Sequence, residues 1–170
     1  MKAKPLPRLE RLNELLTYDA ETGGLVWKMN RRNAKAGTQA GFLHANGYIM
    51  ITIDYKQWRA HRIIWLMAYG SEPLFIDHAD GNKTNNLLSN LRNCTRSENN
   101  ANARKHVTSK SPYKGVMLDK STGKWRSRVT VNGVRKALGS FLTAEDAAVA
   151  YRIAAQASFG PYARFSEIGD

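Results

Sequence analysis

Residues 75–103 read FIDHADGNKTNNLLSNLRNCTRSENNANA, and the organisation of the chain follows from this stretch outward. Phe75-Ile76-Asp77-His78 has the apolar start of a short strand, and Ala79-Asp80-Gly81-Asn82 is turn chemistry. Asp and Asn bond their own backbone there, and Gly accepts a positive φ. Leu87, Leu88 and Leu91 supply core contacts through an Asn-rich loop. Thr95-Arg96-Ser97-Glu98 matches a capping box, in which Thr95 caps a helix and Glu98 reaches back to it. Asn99 and Asn102 then lie three residues apart on one face of that helix. A strand, a long loop and a helix follow one another, with an acid–imidazole pair at one end and carboxamides at the other.

Towards the N-terminus, Leu9, Leu12, Leu15 and Leu16 recur at helical spacing and predict a helix over 8–17. Glu21 to Gly24 read as a turn into a strand at Leu25–Lys28, followed by a basic loop through Arg31, Arg32 and Lys35. Asn46-Gly47, between Phe42-Leu43 and Tyr48-Ile49, predicts a two-residue hairpin. In the next strand Ile49, Ile51 and Ile53 alternate with more polar neighbours, as one buried face requires. A helix begins near Ala60 and stops at Gly70.

Towards the C-terminus, residues 103–111 are polar and basic and mark a domain boundary, with 105–111 as linker. Strands are predicted at Tyr113–Val116 and Lys124–Val129, and Asn132-Gly133 turns a hairpin into Val134–Phe141. Thr143-Ala144-Glu145-Asp146 opens a helix with acidic residues at its positive end. Alanines at 147, 148, 150, 154 and 155 let that helix approach the sheet, Tyr151 and Phe159 fill the gaps, and Gly160 ends it. One face of a three-stranded sheet is thereby covered. Lys114, Arg126, Arg128, Arg135 and Lys136 populate the other face or its edges.

Charge narrows the partners. Among 170 residues, 26 Lys and Arg oppose 14 Asp and Glu, a net +12, which points to a polyanion. Between Lys105 and Lys136 nine basic residues face one acidic residue, whereas Ala137 to Asp170 carries two against four. The first segment is a cationic element, and a cationic β-face suits the DNA major groove. RNA, whose deep major groove side chains cannot read, fits less well. The longest apolar run, Ile63 to Tyr69, falls far short of the about 20 residues of a membrane span. Positive charge without an apolar core near residue 1 argues against export, so an intracellular protein is expected. The single cysteine, Cys94, excludes an internal disulfide and a Cys-based zinc cluster.

Phosphodiester hydrolysis needs an activated water and positive charge on the phosphate. An imidazole with a pKa near 6.5 is a suitable base at neutral pH. A hard cation held by one carboxylate and one amide oxygen keeps positions open for water and phosphate, as Mg²⁺ prefers. His78, Asp77 and Asn99 suit these two jobs. The same residues also read as turn formers, a satisfied surface histidine and a helix-face polar. Adjacent strand residues point to opposite faces, so Asp77 and His78 share a site only if the strand ends or twists there. His61 is open between a functional and a packing role, and its neighbour Arg62 is a candidate phosphate contact. His44 and His106 are assigned none.

Two resemblances sharpen this reading. His61-Arg62-Ile63-Ile64-Trp65, Ile76-Asp77-His78-Ala79-Asp80-Gly81-Asn82, Asn90-Leu91-Arg92, Thr95 and Glu98-Asn99-Asn100-Ala101-Asn102 resemble the HNH endonucleases of the phage homing type over residues 10–104. The resemblance implies a ββα-metal module with His78 as general base and Asp77 and Asn99 as ligands of one Mg²⁺ or Mn²⁺. Asn90 would pin the loop and help orient the base. Asn99 stands where the name-giving motif has its last histidine. Tyr113-Lys114-Gly115-Val116, Gly123 to Val129, Leu138 to Phe141, Thr143 to Ala155 and Phe159 to Phe165 resemble the ethylene-response-factor (Apetala-type) DNA-binding domain over 112–166. That similarity places Lys114, Trp125, Arg126, Arg128 and Arg135 on a DNA-facing sheet. Met117-Leu118 depart from it, where the plant domains often carry Arg and Lys.

The expectation is therefore an α+β protein with three segments: an HNH nuclease domain at 1–104, the linker 105–111, and a DNA reader at 112–170. The reader is a three-stranded antiparallel sheet on one helix. The expected reaction is metal-dependent hydrolysis of double-stranded DNA, with no zinc, nicking one strand as a monomer. The competing expectation is a catalytically inactive DNA-binding transcription regulator.

Overall fold

A computed structural model describes residues 5–105 and 110–166. Packing divides the chain between Asn93 and Cys94 into two units. His106 and most of the 105–111 linker lie outside the described residues.

In the first unit, α1 (Leu9–Leu15) runs into β1 (Leu16–Asp19), which pairs antiparallel with β2 (Gly24–Trp27), and β2 with β3 (Gln39–Ala40). The helix expected over 8–17 is shorter because Leu16 turns extended at φ −131° to pair with Trp27. The change loses no burial: Leu12, Leu15 and Leu16 all face the core. A second sheet joins β4 (Phe42–Leu43), β5 (Ile49–Ile53) and β6 (Lys56–Arg59). The hairpin at Asn46-Gly47 exists but is wider than two residues. Leu43 pairs with Ile49, and the His44 N–H donates to the Tyr48 carbonyl at 2.9 Å. Ile51 and Ile53 are fully buried, as their alternation requires. Then α2 (Ala60–Tyr69) ends at Gly70 in the left-handed region, where the Gly70 N–H donates to the Leu66 carbonyl. The last pair is β7 (Phe75–His78) with β8 (Leu91–Cys94). Leu12, Leu25, Ile51, Ile63, Ile76 and Leu91 belong to one apolar cluster beneath these elements.

The second unit contains α3 (Arg96–Asn102), β9 (Val116–Asp119), β10 (Lys124–Val131), β11 (Val134–Phe141), α4 (Ala144–Phe159) and a short 3₁₀ turn at Gly160–Tyr162. The sheet order is β11-β10-β9, antiparallel throughout. Asn132 and Gly133 both have positive φ, 50° and 82°, as a type I′ turn demands. Thr143 caps α4 by accepting from the Asp146 N–H at 3.1 Å. Ala147, Ala148, Tyr151 and Ala155 bury its inner face.

One predicted strand of this unit needs correction. The strand read at Tyr113–Val116 begins only at Val116. Gly115 sits at φ +75°, and a Cβ there would lie 2.1 Å from a Tyr151 ring carbon, so the chain bends at this point to admit the ring. The compositional boundary also differs from the division by packing. Ala101 of α3 clusters with Val129, Tyr151, Ala155 and Phe159, and the Asn132 N–H donates to Ser97 Oγ at 2.9 Å. The helix bearing Asn99 is thus packed into the second unit, although its sequence motif is continuous with the first. Among the described residues no helix is long and apolar enough to cross a membrane.

Candidate active site and nucleic-acid interface

The end of β7 is buried on both faces: Ile76, Asp77 and His78 are each less than a tenth exposed. Alternation along the strand sends the last two side chains to different partners. The Asp77 carboxylate accepts from Arg92 Nε of β8 at 2.8 Å, and a terminal nitrogen of the same guanidinium lies 2.7 Å away as an ion pair. His78 Nε2 lies 3.0 Å from Asn86 Oδ1. An amide oxygen only accepts, so Nε2 is the donor in this contact. The imidazole also meets the His61 ring edge-on at 5.0 Å and the Tyr48 ring at 6.0 Å. His61 is itself buried, which, with the charges of His78, Arg59 and Arg62, pushes its pKa down to about 3. It is neutral at pH 7 and packs as a ring against Tyr48 and His78.

The loop after β7 is held by amide chemistry. Asn90 accepts the Asp80 N–H on Oδ1 at 3.0 Å, and its Nδ2 donates to Asp80 Oδ1 at 3.0 Å and to the Asn85 carbonyl at 2.8 Å. Its own carbonyl receives the Ala79 N–H at 2.9 Å. Asp80 is held below the usual carboxylate range: partial desolvation opposes this, but bonds from Asn82, Asn85 and Asn90 outweigh it. The first sheet buttresses the same loop. Tyr18 Oη accepts the Leu88 N–H at 3.1 Å. A Cβ on Gly23 would fall 2.6 Å from Leu87 N and 2.8 Å from the Asn86 carbonyl carbon, so Gly23 lets the chain come that close.

Asn86 escaped the sequence reading. It is one of several asparagines in residues 82–90, and only its burial, 4% exposed, separates it from Asn82 and Asn85. Asn99 is half-buried in the middle of α3. That helix starts with the expected box: Thr95 Oγ1 accepts the Glu98 N–H at 3.2 Å, and Glu98 Oε2 accepts the Thr95 N–H at 2.7 Å. Among the described residues no three His, Cys, Asp or Glu side chains gather to hold a metal. The donors on offer are a buried carboxylate and carboxamide oxygens, hard ligands that suit a divalent ion retaining several waters.

The candidate DNA contacts divide by environment. Arg62 is committed to its own unit, paired with Glu72 and donating to the Pro73 carbonyl at 3.2 Å. Lys114 does not lie on an open sheet face. Its ammonium caps the end of α3, donating to the carbonyls of Ala101 and, at 2.7 Å, Ala103. Burial, with Arg164 nearby, pushes its pKa down to about 8. Trp125 is corrected by parity: it lies opposite Phe141 and packs with it against Ala144, Ala147 and Ala148, the face that α4 covers. Its neighbours Arg126 and Arg128 are on the opposite, exposed face, and Arg135, opposite Thr130, shares it. Arg126 pairs there with Asp119. Lys136 is exposed but sits opposite Val129, in the other register.

Comparison with known proteins accounts for the first half of this pattern. Residues 59–101, from Arg59 through β7 and its loop into α3, match a family model described as HNH endonuclease. Protein 3.8 of Escherichia phage T7 is 35% identical over 113 residues, covering 65% of this chain and 93% of the phage protein. An uncharacterized HNH endonuclease of Acanthamoeba polyphaga mimivirus is 32% identical over 130 residues, 75% of this chain and 66% of the viral protein's length. No solved structure matches. Asp77, His78, Asn90 and Asn99 all fall inside the matched segment, so residues 59–101 of this chain carry an HNH endonuclease domain.

Proposed function

We propose that the protein is a divalent-metal-dependent DNA endonuclease in which His78 is the general base. The observation that carries this is the held imidazole: a buried His78 with Nε2 within hydrogen-bond distance of Asn86, one residue from a buried carboxylate. In this reading Nδ1 takes a proton from a water, whose oxygen bonds to phosphorus as the bond to the leaving sugar oxygen breaks. Asn86 stabilises the resulting imidazolium because its amide oxygen accepts from Nε2. Asn90 keeps the loop around the base in shape. Asp77 and Asn99 would hold Mg²⁺ or Mn²⁺, which when bound supplies Lewis-acid stabilisation of the phosphate and leaving oxygen. The second unit would contribute DNA capture through Arg126, Arg128 and Arg135, in the manner of the ethylene-response-factor domain it resembles. With one such centre per chain, nicking of one strand is the proposed outcome, as in the homing subgroup.

The test is incubation of supercoiled plasmid bearing a preferred site with Mg²⁺ or Mn²⁺ across pH 6–9, expecting nicked circles. Intact plasmid under all of these conditions overturns the nuclease reading. A DNA-binding regulator without cleavage would then replace it. The observation that favours this second reading is the Arg92 guanidinium already paired with the Asp77 carboxylate.

A further inference from the structure

We infer that Tyr48, Arg59 and Lys83 form a phosphate clamp of the first unit, gripping the DNA backbone beside the scissile phosphate; this rests on the nuclease reading of His78. Three elements distant in sequence converge here. Tyr48 follows the Asn46-Gly47 turn, Arg59 ends β6, and Lys83 lies in the loop after β7. The Tyr48 ring is 6.0 Å from the His78 ring and 5.2 Å from that of His61. The Arg59 guanidinium stands 4.6 Å from the Tyr48 ring centroid and the Lys83 ammonium 4.8 Å. Both cations belong to exposed residues.

Two like charges at one aromatic ring are mutually repulsive, and cation–π attraction at exposed sites is worth only about 0.5–1 kcal/mol each. Such an arrangement is suited to an anion that neutralises both. The carboxylate of the same loop is not that anion, since Asp80 is bonded to Asn82, Asn85 and Asn90. Lys83 is held in place by the Asn46 carbonyl at 3.0 Å, and its stem packs on Gly47. Its charge is therefore positioned in advance of any ligand, which lowers the entropic cost of binding. A DNA strand carries one phosphate per about 3.4 Å of helix axis, so cations one ring away from the base meet the phosphates flanking the one attacked by the water that His78 activates. Tyr48 links the two functions, with both cations of the proposed clamp at its ring and the base, His78, beside it.

The experiment is binding of the full chain to duplex DNA over a salt series without divalent metal, so that capture is read apart from cleavage. Arg59→Ala and Lys83→Ala should each weaken binding several-fold, evenly across sequences, and lower the salt slope by about one unit. The double variant should lower it by about two. Arg59→Lys and Lys83→Arg, which keep the charge, should restore most of the slope. Variants that melt like the parent yet keep its full salt slope overturn the clamp. A parent chain that binds with the expected slopes but never cuts plasmid overturns the nuclease reading and leaves the clamp standing.

Discussion

The two units bury different things. The first encloses His61, Asp77, His78 and Asn86, so its interior is polar and titratable where β7 meets its loop. The second encloses mainly alanines, Val129, Tyr151 and Phe159, with Asn102, Ser111 and Ser127 as buried polar but non-titratable residues, and leaves Arg126, Arg128 and Arg135 on its outer face. A buried imidazole held in place by an amide is suited to moving one proton. Exposed cations on a strand are suited to meeting many phosphates. The comparison teaches that the charged strand of the second unit is where much of the DNA capture is proposed, whereas buried titratable groups mark where chemistry is proposed to occur.

The largest expected effect tests this division directly. His78→Ala should lower the cleavage rate about 10²–10⁴-fold while DNA affinity changes little, read by single-turnover cleavage and by binding. Equal losses in both would show that base and capture surface are not separable.

Next come two glycines, one in each unit. Gly115→Ala places a methyl within 2.1 Å of the Tyr151 ring at a positive φ, and should destabilise the second unit by about 2–4 kcal/mol. Gly23→Ala presses on the Asn86–Leu87 backbone instead, and so on the partner of His78. It should lower the cleavage rate beyond what its loss of stability explains, whereas Gly115→Ala should act on activity only through folding and capture. Thermal melting beside single-turnover rates separates them.

Acid should distinguish the units more gently. His61 is held neutral in the fold down to about pH 3, while an unfolded histidine takes a proton near 6.5. Below pH 6.5 the unfolded chain binds the additional proton, so stability falls as pH falls, by about 2 kcal/mol between 6.5 and 5. Trp27, Trp58 and Trp65 are in the first unit and Trp125 alone in the second, so tryptophan fluorescence reports mainly on the first. Denaturant titrations followed this way should show the loss, and His61→Phe should flatten it.

The smallest effect concerns α3. Thr95→Ala removes one half of a capping box and should cost about 0.5–2 kcal/mol, measured by denaturation. An unshifted midpoint would mean the cap contributes nothing to the placement of Asn99.

What the sequence by itself determined is short-range. Thr95 and Glu98 are three residues apart, Asn132-Gly133 are adjacent, and Gly70 follows the last turn of α2; backbone geometry alone brings such partners together. The alternation along β10 likewise assigned Arg126 and Arg128 to one face, and the same rule, applied one residue back, puts Trp125 on the other. Tertiary structure alone decided the partners that lie far along the chain. Nothing in residue type told Asn86 from its neighbouring asparagines, nor sent the Lys114 ammonium to the end of α3 rather than to solvent. Tyr48, His61 and His78 become neighbours only when a hairpin, a helix and a strand close on one core, and α3 joins the second unit only because Ala101 finds Val129 and Tyr151 there. A side chain's chemistry is written in its own residue, but its burial and its partner are properties of the packed elements around it.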